Sequence, residues 1–377
     1  MNRVLVTGGA GFIGSNLSLK LMKSGYDVVI MDSLNPQIHG LDPNKSYTYN
    51  MIKGKIRFIK GDVNNIEDWA KALEGVDVVV HLAAETGTGQ SMYEINKYVS
   101  SNIGGTANLL EILTNRKTQV KKLIIAASRA VYGEGKFLCQ KHGVVYPESR
   151  TEEFMSAGDY DVKCPLCEQT VTMLPTDEDS ALHPTSVYGF TKQAQEQLCM
   201  IVGKSIGMPV VAFRFQNVYG PGQSLKNPYT GILSIFSTRI KNGNSLNIFE
   251  DGLETRDFVY IDDITDAIIL GIEKVEANYH AFNIGSGEST SVIEIANTLI
   301  VKYSAQIKIE VSGNYRLGDI RHNLGDLTRS RELLGYEPKV SFRQGISNFV
   351  DWVEKQEIEE DNYETSILEM KERGLYK

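Results

Sequence analysis

Two pairs of residues in the first half of the chain have the types and spacing of metal ligands. Cys139 and His142 are three positions apart in "LCQKHG", and Cys164 and Cys167 are three positions apart in "KCPLCEQ". Together they supply four ligands that zinc prefers, and a full set of four protein ligands is typical of structural rather than catalytic zinc. We predict a structural zinc site. Inert surface cysteines and a labile disulfide are the alternatives.

A second group of residues has the types needed for proton transfer. Tyr188 and Lys192 are four positions apart in "YGFTK" and would share one helix face, where the ammonium can lower the pKa of the phenol. Ser128 ends a predicted strand, at the edge where open α/β sheets bind ligands. A solvated helix surface and a strand-end cap are the competing interpretations. As a catalytic set, Ser128, Tyr188 and Lys192 predict deprotonation of a substrate hydroxyl.

The stretch "TGGAGFIG" predicts a dinucleotide site. Gly8, Gly11 and Gly14 follow the first predicted strand and open a helix, where glycines allow a tight turn and close approach of a pyrophosphate. Asp32 ends the next strand, where a carboxylate can accept hydrogen bonds from the adenosine ribose and repels a 2′-phosphate. We therefore predict NAD rather than NADP. Asp62 is expected at the adenine side, with a strand-end turn residue as the alternative.

Short Val/Ile-rich runs alternate with amphipathic helical segments through the first half of the chain. Continuous apolar runs of this kind indicate strands buried on both faces of a parallel sheet. We predict a Rossmann doubly wound α/β fold with a smaller C-terminal α/β lobe. The predicted strands are 3–9, 26–33, 56–63, 76–84 and 121–128, followed by one buried strand over 209–220, with long helices at 100–115 and 185–207.

The pattern also suggests where the chain divides. Residues 1–205 are predicted to form the NAD-binding domain, interrupted by the Cys/His-rich insertion 134–183, which has no long apolar period of its own. Residues 206–350 are predicted to form the smaller lobe. Residues 351–377 are highly charged and predict a solvated C-terminal helix or tail.

Composition excludes several classes of function. The chain has 377 residues, 42% of them hydrophobic, and a formal net charge of −8 without a basic block, which argues against a nucleic-acid or anionic-membrane binder. A strand begins almost at the first residue and no apolar run reaches membrane-spanning length, so we expect a cytoplasmic protein. Four cysteines, two of them in a Cys-x2-Cys, do not resemble a secreted disulfide framework.

The order of many short motifs resembles that of the extended short-chain dehydrogenase/reductases of the nucleotide-sugar epimerase/dehydratase family. These motifs are "TGGAGFIG", "GDV", "HLAA", "AASRAVYG", "YGFTK", "RFQNVYGPGQ", "TRDFVYIDD" and "RLGD". The resemblance implies an NAD-binding Rossmann domain and a lobe, 206–350, that holds a nucleoside-diphosphate sugar. The implied NAD contacts are Gly8, Gly11, Phe12, Ile13, Gly14, Asp32, Asp62, Val63, Leu82, Ala83, Ala84, Asn102, Tyr188 and Lys192. The implied substrate contacts are Ser128, Asn217, Arg256, Arg316 and Asp319, for which a turn residue and surface ion pairs are the alternatives.

The residues after Ser128 bear on the reaction. Family dehydratases carry an Asp-Glu pair there, and decarboxylating or 3,5-epimerase/reductase members carry Glu or Cys at the second position, whereas this chain has Arg129 and Ala130. Without a second acid, base or thiol, the resemblance implies a 4-epimerase that oxidises C4 to a keto intermediate and returns the hydride to the other face. A role for Arg129 is open, with a salt bridge to the insertion as one interpretation.

The insertion bears on the substrate. Its "C-x-x-H-G" followed by "C-P-x-C" resembles that of bacterial epimerases that convert dTDP-L-rhamnose to dTDP-6-deoxy-L-talose. The alternatives are a UDP-hexose or UDP-uronate 4-epimerase, a nucleotide-keto-sugar reductase, and a non-catalytic NAD-sensing protein. Because the insertion lies between Ser128 and Tyr188, we expect a flap that covers the sugar or a dimer neighbour and tunes substrate choice. The family also implies a homodimer through helices near 95–114 and 186–203.

Overall fold

The computed structural model describes residues 2–229 and 231–377. Strands and helices are numbered separately along the chain. The strands are β1 (Arg3–Thr7), β2 (Asp27–Asp32), β3 (Arg57–Lys60), β4 (Val78–His81), β5 (Lys122–Ser128), β6 (Phe137–Cys139), β7 (Gly143–Val145), β8 (Thr172–Met173), β9 (Val210–Phe215), β10 (Asn217–Tyr219), β11 (Leu246–Ile248), β12 (Thr255–Tyr260), β13 (His280–Ile284), β14 (Ser289–Ser291) and β15 (Ile309–Val311). The helices are α1 (Phe12–Lys23), α2 (Pro36–His39), α3 (Tyr47–Ile52), α4 (Ile66–Ala72), α5 (Thr88–Ser91), α6 (Ile95–Tyr98), α7 (Gly105–Asn115), α8 (Glu152–Ser156), α9 (Val187–Ser205), α10 (Ile232–Lys241), α11 (Ile261–Glu273), α12 (Val292–Tyr303), α13 (Phe342–Val353) and α14 (Tyr363–Glu372). Short 3-10 turns lie at Pro43–Lys45 and Arg129–Tyr132, and π-type turns at Val99–Gly104 and Ser330–Leu334.

A seven-stranded parallel sheet forms the centre of the larger lobe, in the order β13-β9-β5-β4-β1-β2-β3. Its inner strands are buried along their whole length because their Val, Ile and Ala runs have apolar partners on both faces. The strand order reverses beside β1, which pairs with β2 on one side and β4 on the other. Such a switch point opens a crevice at the carboxyl ends of the strands. The predicted doubly wound α/β fold is confirmed.

Helices cover the sheet on both faces, and alternate residues of each strand supply the two cores. Val4 and Val6 point to one core, which includes Leu17 of α1 and Ile268 of α11. Leu5 points to the opposite core, with residues of α4, α7 and α9. Because successive side chains of β1 point to opposite faces of the sheet, its alternate apolar residues contact different sets of helices.

The predicted strand 209–220 divides into β9, in the large sheet, and β10, in the sheet β10-β12-β14 of the smaller lobe. Gln216 lies between them, and its backbone N–H still bonds to Ile284 of β13. The sequence of this stretch does not reveal the change of sheet. Because β13 also returns to the large sheet, the lobes are more interleaved than a division at residue 206 implies.

The insertion has a small core of its own. Strands β6, β7 and β8 form an antiparallel sheet, with Leu138 opposite Val144 across one pair of strands and opposite Thr172 across the other. Phe137 and Val145 pack inside it beside Cys139 and Cys164. The cysteines thus belong to the interior of the insertion.

The C-terminal residues differ from the predicted solvated tail. Helix α13 continues to Val353, and α14 buries one face on the smaller lobe. Tyr363, Ile367 and Met370 follow helical spacing within an otherwise charged stretch and form a cluster with Tyr376. The high charge of this segment concealed its apolar stripe.

Within the described part of the chain, no helix has both the length and the apolar character needed to cross a bilayer.

Candidate active site and metal centre

A cleft of about 1860 Å³ lies at the carboxyl ends of the central strands. It is bounded by the glycine-rich turn after β1, the ends of β2, β4 and β5, the start of α9, and the segment after β10. Ligand pockets typically have about 300–1,000 Å³. The volume therefore suits two ligands, a dinucleotide and a second molecule.

The glycine-rich turn has no room for side chains at two of its predicted positions. Gly8 has φ +65°, and a Cβ placed there would come 2.9 Å from the backbone of Ala83. A Cβ on Gly14 would lie 2.2 Å from the carbonyl oxygen of Gly8, so α1 packs directly against the turn. At Gly11 the nearest atom is 3.2 Å away. The turn thus presents bare backbone to the cleft, as a pyrophosphate cradle requires.

Asp32 lies where β2 meets the cleft. Its carboxylate accepts the backbone N–H groups of Ala10, at 3.0 Å, and Leu34, at 2.8 Å, which ties the glycine-rich turn to β2. His39 Nε2 lies 3.7 Å from the same carboxylate, and burial lowers the pKa of this histidine more than Asp32 raises it. Asp62 also borders the cleft while accepting the N–H of Asn64 at 2.9 Å, so the turn role considered for it is present.

Of the predicted cofactor residues, all but one line the cleft: Gly8, Gly11, Phe12, Ile13, Gly14, Asp32, Asp62, Val63, Leu82, Ala83, Ala84, Tyr188 and Lys192. Asn102 is the exception. It lies in the π-type turn Val99–Gly104, and its amide bonds to the backbone of Glu85, at 2.8 and 3.0 Å, and to Thr191 Oγ1, at 3.0 Å. Both ends of this amide are therefore used to fix the loop after β4 to α9.

Ser128, Tyr188 and Lys192 line the same wall of the cleft. Ser128 Oγ accepts the N–H of Ala130 at 3.2 Å, which caps the 3-10 turn, and its own O–H can donate to the hydroxyl of Tyr188. The capping and substrate interpretations of Ser128 are thus compatible. Lys192 Nζ donates to the carbonyl oxygen of Ala126 at 2.9 Å, so the backbone of β5 fixes the position of this amine in the cleft.

Burial dominates the electrostatics of these groups. It raises the pKa of Tyr188, against which a hydrogen bond from Ser128 and the charge of Arg129 act to lower it. Burial lowers the pKa of Lys192 to about 7, although the nearby Cys199 acts to raise it. A lysine with such a pKa carries only part of its charge at neutral pH.

Arg214, buried at the end of β9, joins the elements that carry these residues. Its guanidinium bonds to both carboxylate oxygens of Glu196 on α9, at 2.9 and 2.5 Å. It also donates to the hydroxyl of Tyr132, at 2.8 Å, and to the carbonyl oxygen of Glu178, at 2.9 Å. One side chain therefore links α9, the turn after Ser128 and the end of the insertion.

The residues predicted to bind the sugar nucleotide are divided between three places. Asn217 lines the cleft, and its buried Oδ1 has no partner among the described residues, which leaves an acceptor free for a ligand. Arg316 and Asp319 border a separate space of about 20 Å³ beneath Met370 and Leu375.

Arg256 lines neither space. Its guanidinium donates to Asp319 and to the carbonyl oxygens of Thr255, Ile320 and Arg321, so it braces the 319–321 loop. Asp319 also accepts Arg316 at 2.8 Å. Although burial opposes it, the surrounding arginines, chiefly Arg316, hold the pKa of Asp319 well below its usual range.

A polar cluster on the cleft wall was absent from the sequence predictions. Lys97 Nζ lies 2.9 Å from Gln37 Oε1 and 3.5 Å from a carboxylate oxygen of Glu85, whose other oxygen accepts Asn35 at 3.2 Å. All four residues line the cleft. The partners come from three separate elements, so no local spacing marks them in the sequence.

The four predicted metal ligands meet at one point of the insertion. Their ligand atoms all lie within 4.8 Å of one another. Cys139 Sγ is 3.8 Å from Cys167 Sγ and 3.6 Å from His142 Nδ1, which is 3.4 Å from Cys164 Sγ. Tetrahedral zinc, with Zn–S of about 2.3 Å and Zn–N of about 2.0 Å, places two sulfurs about 3.8 Å apart and sulfur and nitrogen about 3.5 Å apart. The donor set and its spacing fit zinc.

The insertion packs on the smaller lobe rather than over the cleft. Arg150 donates to both carboxylate oxygens of Glu250, at 2.8 Å each, and to Glu134 at 3.2 Å. Tyr160 donates to the carbonyl oxygen of Gly313 at 2.8 Å. None of the described residues 134–183 lines the cleft, so the expected flap over the sugar is not observed.

Comparison with known proteins places these features in a family. The model of the NAD dependent epimerase/dehydratase family matches residues 4–160 and 166–285. A dTDP-L-rhamnose 4-epimerase of Burkholderia thailandensis is 37% identical over 96% of this chain and 97% of its own.

Two solved structures share the fold. The UDP-glucuronic acid 4-epimerase of Bacillus cereus, in complex with UDP-glucuronic acid and NAD, has a TM-score of 0.76 and 29% identity over 94% of this chain and 99% of its own. The UDP-glucose 4-epimerase of Thermotoga maritima, with UDP-glucose, has a TM-score of 0.75 at the same identity and coverage.

Replacement of Gly14 by alanine should weaken NAD binding. The added Cβ clashes with backbone atoms of Gly8 and Gly9. Backbone atoms cannot rotate away as a side chain can, so the glycine-rich turn must be displaced. We expect the affinity for NAD to fall about tenfold or more, measured by calorimetry on protein stripped of cofactor. Gly104→Ala is the matched control, since its Cβ would have only an ordinary contact at 3.9 Å. Equal affinity of the two variants would contradict the assigned cradle.

Proposed function

The chain belongs to the NAD-dependent epimerase/dehydratase family, and we propose that it is a nucleotide-sugar 4-epimerase that converts dTDP-L-rhamnose to dTDP-6-deoxy-L-talose. The observation that carries the chemistry is the single cleft wall on which Ser128, Tyr188 and Lys192 lie, next to the glycine-rich turn. The sugar assignment is supported by the 37% identity to a dTDP-L-rhamnose 4-epimerase.

Tyr188 is the proposed acid–base group. Its phenolate takes the proton of the sugar 4-hydroxyl during oxidation and returns it to the same oxygen when the keto group is reduced. With the substrate bound, Ser128 donates its O–H to the substrate oxygen and holds that oxygen beside Tyr188. Lys192, anchored on the carbonyl oxygen of Ala126, supplies positive charge on the same side of the cleft.

The residues present fit NAD. Bare backbone at Gly8, Gly11 and Gly14 accommodates a pyrophosphate, and Asp32 is placed for the adenosine ribose. When bound, NAD supplies the hydride acceptor for the sugar carbon and the donor for its return.

The residues after Ser128 favour epimerisation over the other reactions of the family. Arg129 and Ala130 provide neither a second acid nor a nucleophile beside the reacting carbon. A keto sugar formed there can only be reduced again. The volume of the cleft leaves space for the sugar to turn before the hydride returns.

The substrate side is proposed to involve Asn217, Arg316 and Asp319. Asn217 offers an unpartnered acceptor in the cleft, and Arg316 has a buried Nε without a partner among the described residues. This N–H would donate a charge-assisted hydrogen bond to a phosphate oxygen of the nucleotide sugar. The UDP-hexose and UDP-uronate 4-epimerase alternatives are supported by the two solved structures.

We expect the purified protein to epimerise dTDP-L-rhamnose without added cofactor. The Tyr188→Phe variant should have a kcat about a hundredfold to ten-thousandfold lower, because the catalytic base is lost. Products are identified by NMR, with UDP-glucose, UDP-galactose and UDP-glucuronate as parallel substrates. Tyr26→Phe, which changes a tyrosine hydroxyl outside the cleft, is the control.

Two results would change the assignment. Conversion of a UDP-sugar alone would keep the epimerase activity and replace the substrate. Net consumption of NADH with a nucleotide-keto-sugar would make the enzyme a reductase.

We further propose that Cys139, His142, Cys164 and Cys167 hold a structural zinc ion. Four protein ligands leave no open position for a catalytic water. Burial opposes thiolate formation at Cys139, but backbone N–H groups of His142 and Lys141 point at its sulfur and help to lower its pKa to about 6. The metal would hold the surface from which Arg150 and Tyr160 reach the smaller lobe.

The protein purified without chelator should contain about one zinc per chain, and Cys164→Ser should lose it because one tetrahedral ligand is missing. Metal content is measured by mass spectrometry. The loss should raise KM for the nucleotide sugar, since the insertion braces that lobe, and leave NAD affinity unchanged. Cys199→Ala, at the cysteine outside the cluster, should keep the metal. Less than about half an equivalent in the unaltered protein would contradict the site.

We propose a homodimer through α9 and α6. Phe190 and Ile201, three turns apart on α9, are 54% and 67% exposed, and Ile95 of α6 is 51% exposed. Lys192 and Glu196 are buried, so the outer face of α9 from Phe190 to Ile201 carries no charge. An uncharged helix face of this kind is typical of an interface.

The double change Phe190→Asp and Ile201→Asp should convert the protein to monomers, because it places two charges in the proposed interface. Sedimentation velocity measures the outcome at several concentrations. Val275→Asp with Val301→Asp is the control, as these residues are 70% and 75% exposed on other surfaces. A monomeric unaltered protein, or a control that dissociates equally, would contradict this interface.

A further inference from the structure

Arg129 lies in the same corner of the cleft as Tyr188. It follows Ser128 directly and begins the 3-10 turn Arg129–Tyr132, and both Arg129 and Tyr188 line the cleft. The turn and the start of α9 approach closely, since a Cβ on Gly189 would lie 2.5 Å from the carbonyl oxygen of Ala130. Backbone packing therefore fixes the position of Arg129 relative to the tyrosine.

The guanidinium of Arg129 is not neutralised by the protein. Among the described residues, the Arg129 side chain has no hydrogen-bond or ion-pair partner. Burial lowers the pKa of Arg129 to about 10, and the charge of the nearby Arg256 lowers it further, but the guanidinium stays charged at neutral pH. The two acids that could reach it are already engaged. Asp319 accepts Arg256 and Arg316, at 3.2 and 2.8 Å.

Glu134 is the other acid near Arg129. It accepts Arg150 Nε at 3.2 Å and the backbone N–H of Arg321 at 2.9 Å, deep in the contact between insertion and smaller lobe. The salt bridge from Arg129 to the insertion considered from the sequence is therefore not observed. The positive charge of Arg129 is left to act on the cleft.

Few other groups face the phenol of Tyr188. Ser128 offers a neutral hydroxyl, and the ring of Tyr98 stands edge-on with its centroid 6.5 Å away. Burial raises the pKa of Tyr98 well above its usual value, so it remains neutral. Lys192 on α9 is bonded to Ala126, and its pKa of about 7 leaves it partly uncharged at neutral pH. Arg129 is thus the one fully charged cation near the phenol within the described residues.

We propose that Arg129 is a positioning residue that stabilises the phenolate of Tyr188 through its charge and so supplements Lys192. The inference rests on the proposed role of Tyr188 as the base. A cation close to an acid favours its ionised form, and the effect is large where water is excluded. The arginine is suited to this task because burial does not remove its charge, as it partly does for lysine.

The test is the pH profile of kcat/KM for the NAD-loaded enzyme. The phenolate is required, so activity is lost as pH falls through the pKa of Tyr188. Arg129→Met should raise that pKa and move the acid limb up by about one pH unit or more, with activity recovering above the shifted limb. Arg129→Lys should reverse this shift only in part, because burial removes part of the charge of a lysine. KM for the sugar should change less than about threefold.

A second measurement does not depend on the substrate. Ionisation of Tyr188 is followed by the ultraviolet absorbance of tyrosinate in the NAD-loaded protein, as the difference from Tyr188→Phe. The phenolate signal should appear at higher pH in Arg129→Met than in the unaltered protein. Retained NAD and an unchanged melting temperature show that the variant is folded.

Two outcomes would overturn the inference. One is an unmoved acid limb with a uniformly lower kcat or a raised KM, which would assign Arg129 to structure or to substrate binding. The other is an unmoved tyrosinate titration. Since the titration needs no turnover, it decides the role of Arg129 even if the proposed epimerase activity is not found.

Discussion

The guanidinium of Arg214 bonds to three parts of the chain that are far apart in sequence and must meet for the site to exist. It fixes α9 through Glu196, the turn after β5 through Tyr132, and the end of the insertion through Glu178. Removing one partner of a buried pair typically costs about 3–5 kcal/mol because a charge remains without compensation. The relative placement of Ser128 and of the Tyr188 helix therefore depends on a residue that does not touch the cleft.

Much of the site could be predicted because its signals are local. The glycine-rich turn and Asp32 follow from steric and electrostatic rules that act within one βαβ unit, β1-α1-β2. Tyr188 and Lys192 share a helix face by spacing alone, and Ser128 ends an apolar run. The Cys-x2-His and Cys-x2-Cys pairs are likewise recognised from their local spacing. The structure brings the ligand atoms of both pairs within 4.8 Å of one another.

Other features could not be predicted because they depend on tertiary partners. Arg256 was expected at the substrate, but its donors are used by the 319–321 loop. Asn102 was expected at the cofactor, but its amide fixes the loop after β4. The division of strand 209–220 is set by Gln216, which still bonds to β13 while the chain leaves the sheet. In each case a polar group forms hydrogen bonds with backbone atoms far away in sequence. The spacing of residue types along the chain does not indicate such a long-range contact.

The insertion leaves and rejoins the core at almost the same point. A Cβ on Gly135 would lie 2.5 Å from Thr176 Oγ1, and the backbone N–H of Lys136 bonds to that oxygen at 3.1 Å. The two ends of the chain between Gly135 and Thr176 are therefore in contact, and the length of that segment does not affect the distance between β5 and α9. The insertion can therefore change in length or sequence without moving β5 relative to α9, so the insertion and the core that carries Ser128 and Tyr188 are free to diverge at different rates.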